Sequence, residues 1–582
     1  MNVRDFIAWQ VRPGEPPFPA VTDAHWRQWR GGTLAMAWVP RDADAASGGE
    51  TAGDETPRLF LGDSSAFDDA HPDEPMANAV TVRYDVASRS LAVTTSIVGL
   101  PPVYCHTSRG RTVVASSIHA LVKVPGVRLD LDPIGVVEHG TFGHPVGHRT
   151  LFKDVRLLPG GSRFELGDAG TCAERRAWSM PSGAPWSWAD FIEAQRDAFV
   201  AALSRIDVSR SFLSLTAGLD TRAVFAELAS HGRLIPTATM TGARPSLDAR
   251  IAARLSAAYG VPHVDVTFGE TFERDLPAHV VSASRLSGGL ESLNQAPEVY
   301  LYRTIGGGFA SRLSGNLGNQ VGRGGTEGVS VRGARLDLLA PELRGDGPPR
   351  DHWLLTALAR GPRESIEFIL QQEVPFTLLP NFGVGSHFAL QQSPYADRAL
   401  IETLAHRPEE SHAAPARSKF RMRVRDLKHR FLGEPEIHSF QRSLISSRGG
   451  VAASVPINWG WRPRGGVSLA GLGMGVATFA GMAARAKGLD AGILRRPLSW
   501  SGLPALHDFR ESRRWLRERL RDYTMDSLNA ADIRHSGLFE SRALDALASE
   551  HFSGTHDHYD TLTFALDLAL ARKHFLKSDA LP

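Results

Sequence analysis

The sequence predicts an antiparallel, β-rich α+β domain over residues 1–180, a parallel α/β domain over 190–450, and a mainly helical extension over 451–582. Three observations predict this. Short β-prone runs broken by Gly, Pro, Asp and Ser fill the first third of the chain. From about residue 205, apolar strands alternate with helical stretches, the pattern of a parallel sheet with crossover helices. Beyond 450 the strand signal fades into Gly-rich and Arg-rich segments. At 582 residues the chain exceeds one core, which at roughly 100–200 residues per domain asks for two to four units.

In the first domain, residues 33–39, 79–84 and 111–116 read as strands, and 41–57, rich in Ala, Asp, Gly and Glu, as an exposed loop. The pattern ends near 175–190, where Pro181, Gly183 and Pro185 precede a helical stretch from Ala189. The second domain opens with strand Ser211–Leu215, then helix Arg222–Ser230, strand Leu234–Met240, helix Leu247–Tyr259 and strand His263–Val266. An Arg-rich helix near 509–522 and a helical pair over 537–577 close the chain, and no internal repeat is found. Val467–Ala484 is free of charge over nearly the length of a membrane span. Its wealth of Gly and Ala favours a buried small-residue helix or packed loop over membrane contact.

Composition narrows the function. Hydrophobic residues at 42% and charged residues at 22% are ordinary for a globular protein with a sizeable core. Lys and Arg total 65 against 63 Asp and Glu, with no basic block to track a nucleic-acid backbone, so no nucleic-acid partner is indicated. Cys105 and Cys172 are too few for a disulfide framework or a four-cysteine zinc site, and fit a reducing cytoplasm. Met1-Asn2-Val3-Arg4-Asp5 lacks the apolar stretch of a secretion signal, so a cytoplasmic protein is expected. His551, His556 and His558 are irregularly spaced and lack a supporting Cys, and read as a surface loop in preference to a metal site.

The chemistry concentrates in Thr216-Ala217-Gly218-Leu219-Asp220-Thr221-Arg222, between the first strand and first helix of the α/β domain. A small-residue turn feeding a helix N-terminus directs backbone N–H groups and the positive helix end outward, a cradle for pyrophosphate. Asp220 places a carboxylate where Mg²⁺ is held by one or two carboxylates together with phosphate oxygens. The turn resembles the Ser-Gly-Gly-x-Asp-Ser pyrophosphate loop of the asparagine synthetase family. Thr216 stands for the first Ser and Ala217 for the first Gly, Gly218, Leu219 and Asp220 keep register, Thr221 stands for the first closing Ser, and Arg222 replaces the second. Downstream, Gly260-Val261-Pro262-His263 resembles the family's turn into the third strand, and Ser393-Pro394-Tyr395-Ala396-Asp397-Arg398, with Glu402, its Pro-Phe-Leu-Asp element. The resemblance implies an ATP-pyrophosphatase fold of the adenine nucleotide α-hydrolase type. It also implies ATP and Mg²⁺ as ligands, and nucleotide contacts from Ser214, Thr216 to Thr221, and Met240 at the end of the second strand.

Gly99-Leu100-Pro101-Pro102-Val103-Tyr104, Val113 to Ser117, Arg149 to Lys153 and Leu158 to Gly161 resemble the family's glutaminase domain, implying an Ntn-hydrolase-like fold for residues 1–180. Glutamine hydrolysis there needs an N-terminal Cys as nucleophile, whereas Asn2 follows Met1 here, and Cys105 sits within a strand as a small buried hydrophobe. The resemblance thus implies a related enzyme without the usual glutaminase step, as in the β-lactam synthetase and lasso-peptide cyclase branches.

The second phosphate-facing loop departs further. Typical members carry Ser-Gly-Glu-Gly-x-Asp-Glu, where this chain has Ser314-Gly315-Asn316-Leu317-Gly318-Asn319-Gln320. Ser314 and Gly315 are retained as nucleotide-facing residues, Asn316 replaces the catalytic glutamate, and Asn319 replaces a Mg²⁺ carboxylate. An amide oxygen ligates Mg²⁺ without adding charge and is no general base at neutral pH. In the Gly-rich run that follows, Arg323 is a candidate for phosphate or substrate carboxylate and Glu327 for a restored carboxylate, with an exposed loop as the equal alternative. Lys419 and Lys428 are the candidates for the family's late lysine, the alternative being a solvated basic helix face, and Arg442 is a substitute cation. The expected activity is ATP-dependent amide-bond formation from small-molecule or peptide carboxylate and amine substrates. A catalytically degenerate nucleotide-binding or partner-binding scaffold, or a lasso-peptide macrolactam cyclase, stands as the alternative. The oligomeric state is open, with a homodimer carried as an expectation.

Overall fold

The computed structural model describes residues 1–11, 26–31, 33–41, 58–68, 70–168, 170–243, 245–323, 334–345, 366, 368–408, 439–458, 460–467, 471, 473 and 511–576. Its N-terminal half is organised by β1 (Asn2–Gln10). Successive strand side chains point to opposite faces. Phe6 and Ala8 therefore enter one core with Trp38, Leu59 and Cys105, while Ile7 and Trp9 enter another with Val113 and Phe152. One edge of β1 pairs with antiparallel β3 (Leu34–Pro40). The other is shared by β4 (Arg58–Gly62), parallel through Asn2 and Val3, and β8 (Arg111–Ala115), antiparallel through Ile7 to Trp9. Two strands diverging from one edge force the eleven-stranded sheet to curl around its two cores.

Antiparallel pairing extends one wing through β5 (Ala79–Asp85), β6 (Ser90–Thr94), β10 (Ser162–Gly167) and β11 (Cys172–Arg176). The other wing continues through β7 (Tyr104–Ser108) and β9 (Val155–Leu157), and β2 (Arg27–Gly31) flanks β3. The helices α1 (Ile118–Leu121) and α2 (Pro133–Phe142) complete this half. The predicted runs at 33–39, 79–84 and 111–116 are β3, β5 and β8. β1, which the sequence reading left unassigned, is the hub, because burial on both faces erases the polar alternation that marks a half-exposed strand.

After α3 (Trp188–Arg205) comes a five-stranded parallel sheet of β12 (Ser211–Ser214), β13 (Thr237–Gly242), β14 (His263–Phe268), β15 (Ser311–Leu313) and β16 (Leu390–Gln392). The strand order is β14-β13-β12-β15-β16. The connecting helices include α4 (Leu219–Ser230), α5 (Leu247–Ala258), α6 (Glu270–Leu286), α7 (Ser292–Ile305) and α8 (Gly318–Arg323). α4 starts three residues ahead of the predicted Arg222, directly after Gly218. β13 starts after Pro236 and not at Leu234, since proline has no N–H for the ladder.

The C-terminal part is helical. Helix Tyr559–Phe575, buried on nearly every side, reaches both halves through Asp567. That carboxylate accepts the N–H groups of Glu291 and Ser292 at the start of α7 (3.1 and 2.9 Å), and lies 3.3 Å from His139 Nε2 on α2. The Arg-rich stretch turns its cations onto α6, with Arg519 Nε 2.7 Å from Glu273 and Arg514 on the same carboxylate. The molecule is thus mixed α/β, with a curled, mostly antiparallel N-terminal sheet and a helical C-terminal region. Among the described residues no helix is long and apolar enough to cross a membrane. The segments 41–57 and 467–484 lie almost wholly outside the described residues.

Candidate functional site

In open parallel sheets, ligands bind beyond the carboxyl ends of the strands where the strand order reverses. Here the chain runs outward from β12 to β14 and returns to β15, so by this rule a ligand crevice would lie at the loops that follow β12 and β15. The first loop is held by side chains. Thr216 N–H donates to Thr221 Oγ1 (3.1 Å), Ala217 N–H to Asp248 Oδ1 on α5 (2.9 Å), and Gly218 N–H to Thr216 Oγ1 (3.4 Å). The amides of residues 216–218 are therefore engaged within the protein. The N-terminus of α4 has no side-chain cap, and a Cβ built on Gly218 would meet only Thr216 Oγ1, at 3.5 Å. An uncapped helix N-terminus of this kind favours an anion.

Three loops distant in sequence meet at Asp220. From the second loop, a Cβ on Gly315 or Gly318 would lie 2.8 or 2.6 Å from Asp220 Cβ, so only glycine permits the approach. From the third, Tyr395 donates its hydroxyl to the Asp220 carbonyl (3.0 Å), and Ser393 Oγ donates to the Asn316 carbonyl (2.6 Å). The buried Gln441, on helix Ser439–Arg448, donates Nε2 both to Asp220 Oδ1 (3.1 Å) and to Gly318 O (3.0 Å). Asp397 caps the helix Arg398–Glu402 through Leu400 N–H (3.2 Å) and pairs with Arg205. Leu317 sits at φ 69°, a left-handed conformation that favours glycine. Asn316 and Asn319 are partly exposed.

Two buried arginines flank this convergence. Arg222 donates to the carbonyls of Val455 (2.6 Å), Pro456 (3.1 Å) and Ala217 (3.1 Å), fastening the first loop to the end of helix Gly450–Ser454. Burial pushes its pKa down to about 9, opposed only by Asp248. Arg312 on β15 instead pairs with the buried Glu298 and donates to Tyr302 Oη (3.2 Å) and Ser214 Oγ (2.6 Å). Burial alone would lower its pKa, but Glu298 and Tyr302 outweigh that and raise it. The Ser214 hydroxyl is thus tied into the sheet interior. Met240, expected at the end of its strand, lies within β13, which runs on to Gly242; it is half-buried, and its neighbour Thr239 donates Oγ1 to Leu215 O (2.6 Å) beside the first loop.

Glu327, Lys419 and Lys428 lie outside the described residues, and Arg323 is described only in its backbone, at the end of α8. Arg442 donates Nε to Pro463 O (3.2 Å) and lies over the Trp461 ring. In the N-terminal half, Asn2 Oδ1 accepts from Ser64 Oγ (2.9 Å), and Cys105 is buried with its thiol pKa raised by desolvation. A small cleft between the halves is lined by Asp63, Asn78, Arg205, Pro394 and Asp397. Sequence reasoning missed Asp248 as the anchor of Ala217, Gln441 as the partner of Asp220, and Glu298 as the counter-ion of Arg312. Each acts from another element, so no local spacing marks it. Comparison of the sequence with protein-family models and with curated proteins finds no match.

Proposed function

We propose that the chain is an ATP-dependent, amide-bond-forming ligase of the asparagine synthetase type, acting without glutamine hydrolysis, and that its β12–β16 unit is an ATP-pyrophosphatase domain. The observation that carries this reading is the meeting of loops 216–221, 314–320 and 393–397 around Asp220 at the strand-order reversal. Leu317 adds support, because its left-handed φ of 69° falls where the family pattern has glycine. The Ntn-hydrolase likeness of the first half rests on its sequence motifs, and the Asn2 amide bonded to Ser64 is no nucleophile.

In the reaction, a substrate carboxylate attacks the α-phosphorus of ATP and pyrophosphate leaves. An amine then attacks the acyl-adenylate, and AMP leaves with formation of the amide. The open N-terminus of α4 and the positive charge of Arg222 beneath it stabilise the phosphates. Asp220 and the amide oxygen of Asn319 are what this chain offers Mg²⁺, which supplies charge neutralisation when bound. The substrates are a small-molecule or peptide carboxylate and amine.

A second reading, a scaffold that binds nucleotide without turning it over, is favoured by Asn316 and Asn319 where the family has acids. The macrolactam cyclase reading is the case in which both substrate groups lie on one peptide. Pyrophosphate release with candidate carboxylates, run beside ATP calorimetry, decides among them. Release reduced on the order of a hundredfold in Asp220→Ala supports the ligase. ATP binding without release moves the protein to the scaffold reading, and equal release by both proteins ends the proposed mechanism.

A further inference from the structure

The turn between the last two helices carries an arrangement unrelated to the crevice. Helix Ser541–Ser553 ends at Gly554, which takes the left-handed φ of 82°, and the chain reverses through residues 555–558 into helix Tyr559–Phe575. The reversal is built. His556 N–H donates to the Glu550 carbonyl (3.2 Å), and His558 N–H donates to Nδ1 of His551 (3.1 Å). His551, expected on a surface loop, is fully buried and serves as the anchor of the turn. Tyr559 N–H donates to Asp557 Oδ1 (3.1 Å), which lies 3.4 Å from His551 Nδ1.

These bonds turn Glu550, His556 and His558 toward one another. His558 Nε2 lies 2.6 Å and His556 Nδ1 lies 3.6 Å from the same Glu550 oxygen, and one donor atom from each residue falls within 4.8 Å of the others. Three atoms so placed leave a point within about 2.8 Å of all of them, from which small side-chain rotations reach the ~2.0–2.2 Å of zinc–nitrogen and zinc–carboxylate bonds. Two imidazoles and one carboxylate form a donor set suited to Zn²⁺, Co²⁺ or Ni²⁺, while Mg²⁺ and Ca²⁺ prefer all-oxygen sites. Sequence spacing hid the set because Glu550 belongs to the preceding helix and the buried His551 belongs to the support and not to the ligands.

We propose that Glu550, His556 and His558 bind one late first-row divalent metal ion, which clamps the turn joining the two closing helices and leaves a fourth position to water. Helix Tyr559–Phe575 touches both halves of the molecule, so the clamp fixes the start of the element that ties them together.

The test uses the full chain, free of any histidine tag, stripped with chelator and titrated with Zn²⁺ by calorimetry and with Co²⁺ by visible absorption. The expected result is one equivalent of metal, an affinity at least tenfold weaker in His556→Ala, His558→Ala and Glu550→Gln, and an unchanged affinity in His535→Ala. Thermal midpoints should rise with Zn²⁺ in the native protein and remain fixed in the three variants. Circular dichroism of each metal-free variant confirms its fold. Absence of binding, or binding that survives His558→Ala in a folded variant, overturns the proposal.

Discussion

Arg222 and Arg312 are both buried guanidiniums beside the same crevice, yet they are held in opposite ways. Arg312 faces the carboxylate of Glu298, so its charge is compensated and its pKa is raised. Arg222 faces carbonyls, with Asp248 as its opposing charge, and its pKa is pulled down to about 9. A compensated arginine cross-links the sheet. An under-compensated one beneath an open helix N-terminus also adds positive potential where a phosphate would sit. The two differ in the charge each contributes to the crevice.

The largest effect should come from breaking the compensated pair. Glu298→Gln leaves Arg312 buried without a counter-ion and should destabilise the fold by about 3–5 kcal/mol in urea denaturation. An effect below about 1 kcal/mol would show that Tyr302 and Ser214 alone satisfy Arg312. Arg222→Met should cost less, about 2–3 kcal/mol. It strips donors from the carbonyls of Ala217, Val455 and Pro456 but also removes an unfavourable buried charge. Its pH signature is sharper. With the folded pKa near 9, below arginine's ordinary value, the unfolded chain holds the extra proton above pH 9, so the penalty on stability is relieved as pH rises past that point. Anion affinity moves the other way, because only charged Arg222 attracts phosphate. ATP affinity should fall as pH rises through about 9 in the native protein and stay flat in Arg222→Met.

Much of this was legible in the sequence, for reasons tied to particular residues. The strand-to-helix turn at 216–222 was readable because small residues mark turns locally, whereas the loops near 314 and 393 were singled out through the family resemblance. The alternation from β12 to β14 was readable because each element carries its own period. β1 was not, being buried on both faces. Nor could Arg222 be recognised as the support of the first loop, since its carbonyl partners at 455 and 456 lie more than two hundred residues away. The Asp220–Gln441 contact was hidden for the same reason.

The two glycines bordering Asp220 carry the comparison from charge to shape. At Gly318 an added Cβ would sit 2.6 Å from Asp220 Cβ and Cγ. Gly318→Ala must therefore displace Asp220 or the second loop, with an expected loss of about 1–3 kcal/mol from overpacking. ATP affinity should fall with it. If stability is unchanged, the loops are not as closely apposed as these distances require.

Gly218 is the opposite case and gives the smallest effect on the fold. Its φ of −67° is open to any residue, and its added Cβ would touch only Thr216 Oγ1 at 3.5 Å. Gly218→Ala should therefore change stability by under about 1 kcal/mol, alanine being a somewhat poorer N-cap than glycine. The same methyl would stand over the uncapped end of α4, where the proposed nucleotide would bring its phosphate oxygens close to the backbone. ATP affinity is therefore expected to fall at least tenfold in a protein that melts like the native one. A variant that keeps both its stability and its ATP affinity would place the nucleotide elsewhere and leave the under-compensated charge of Arg222 as a feature of folding alone.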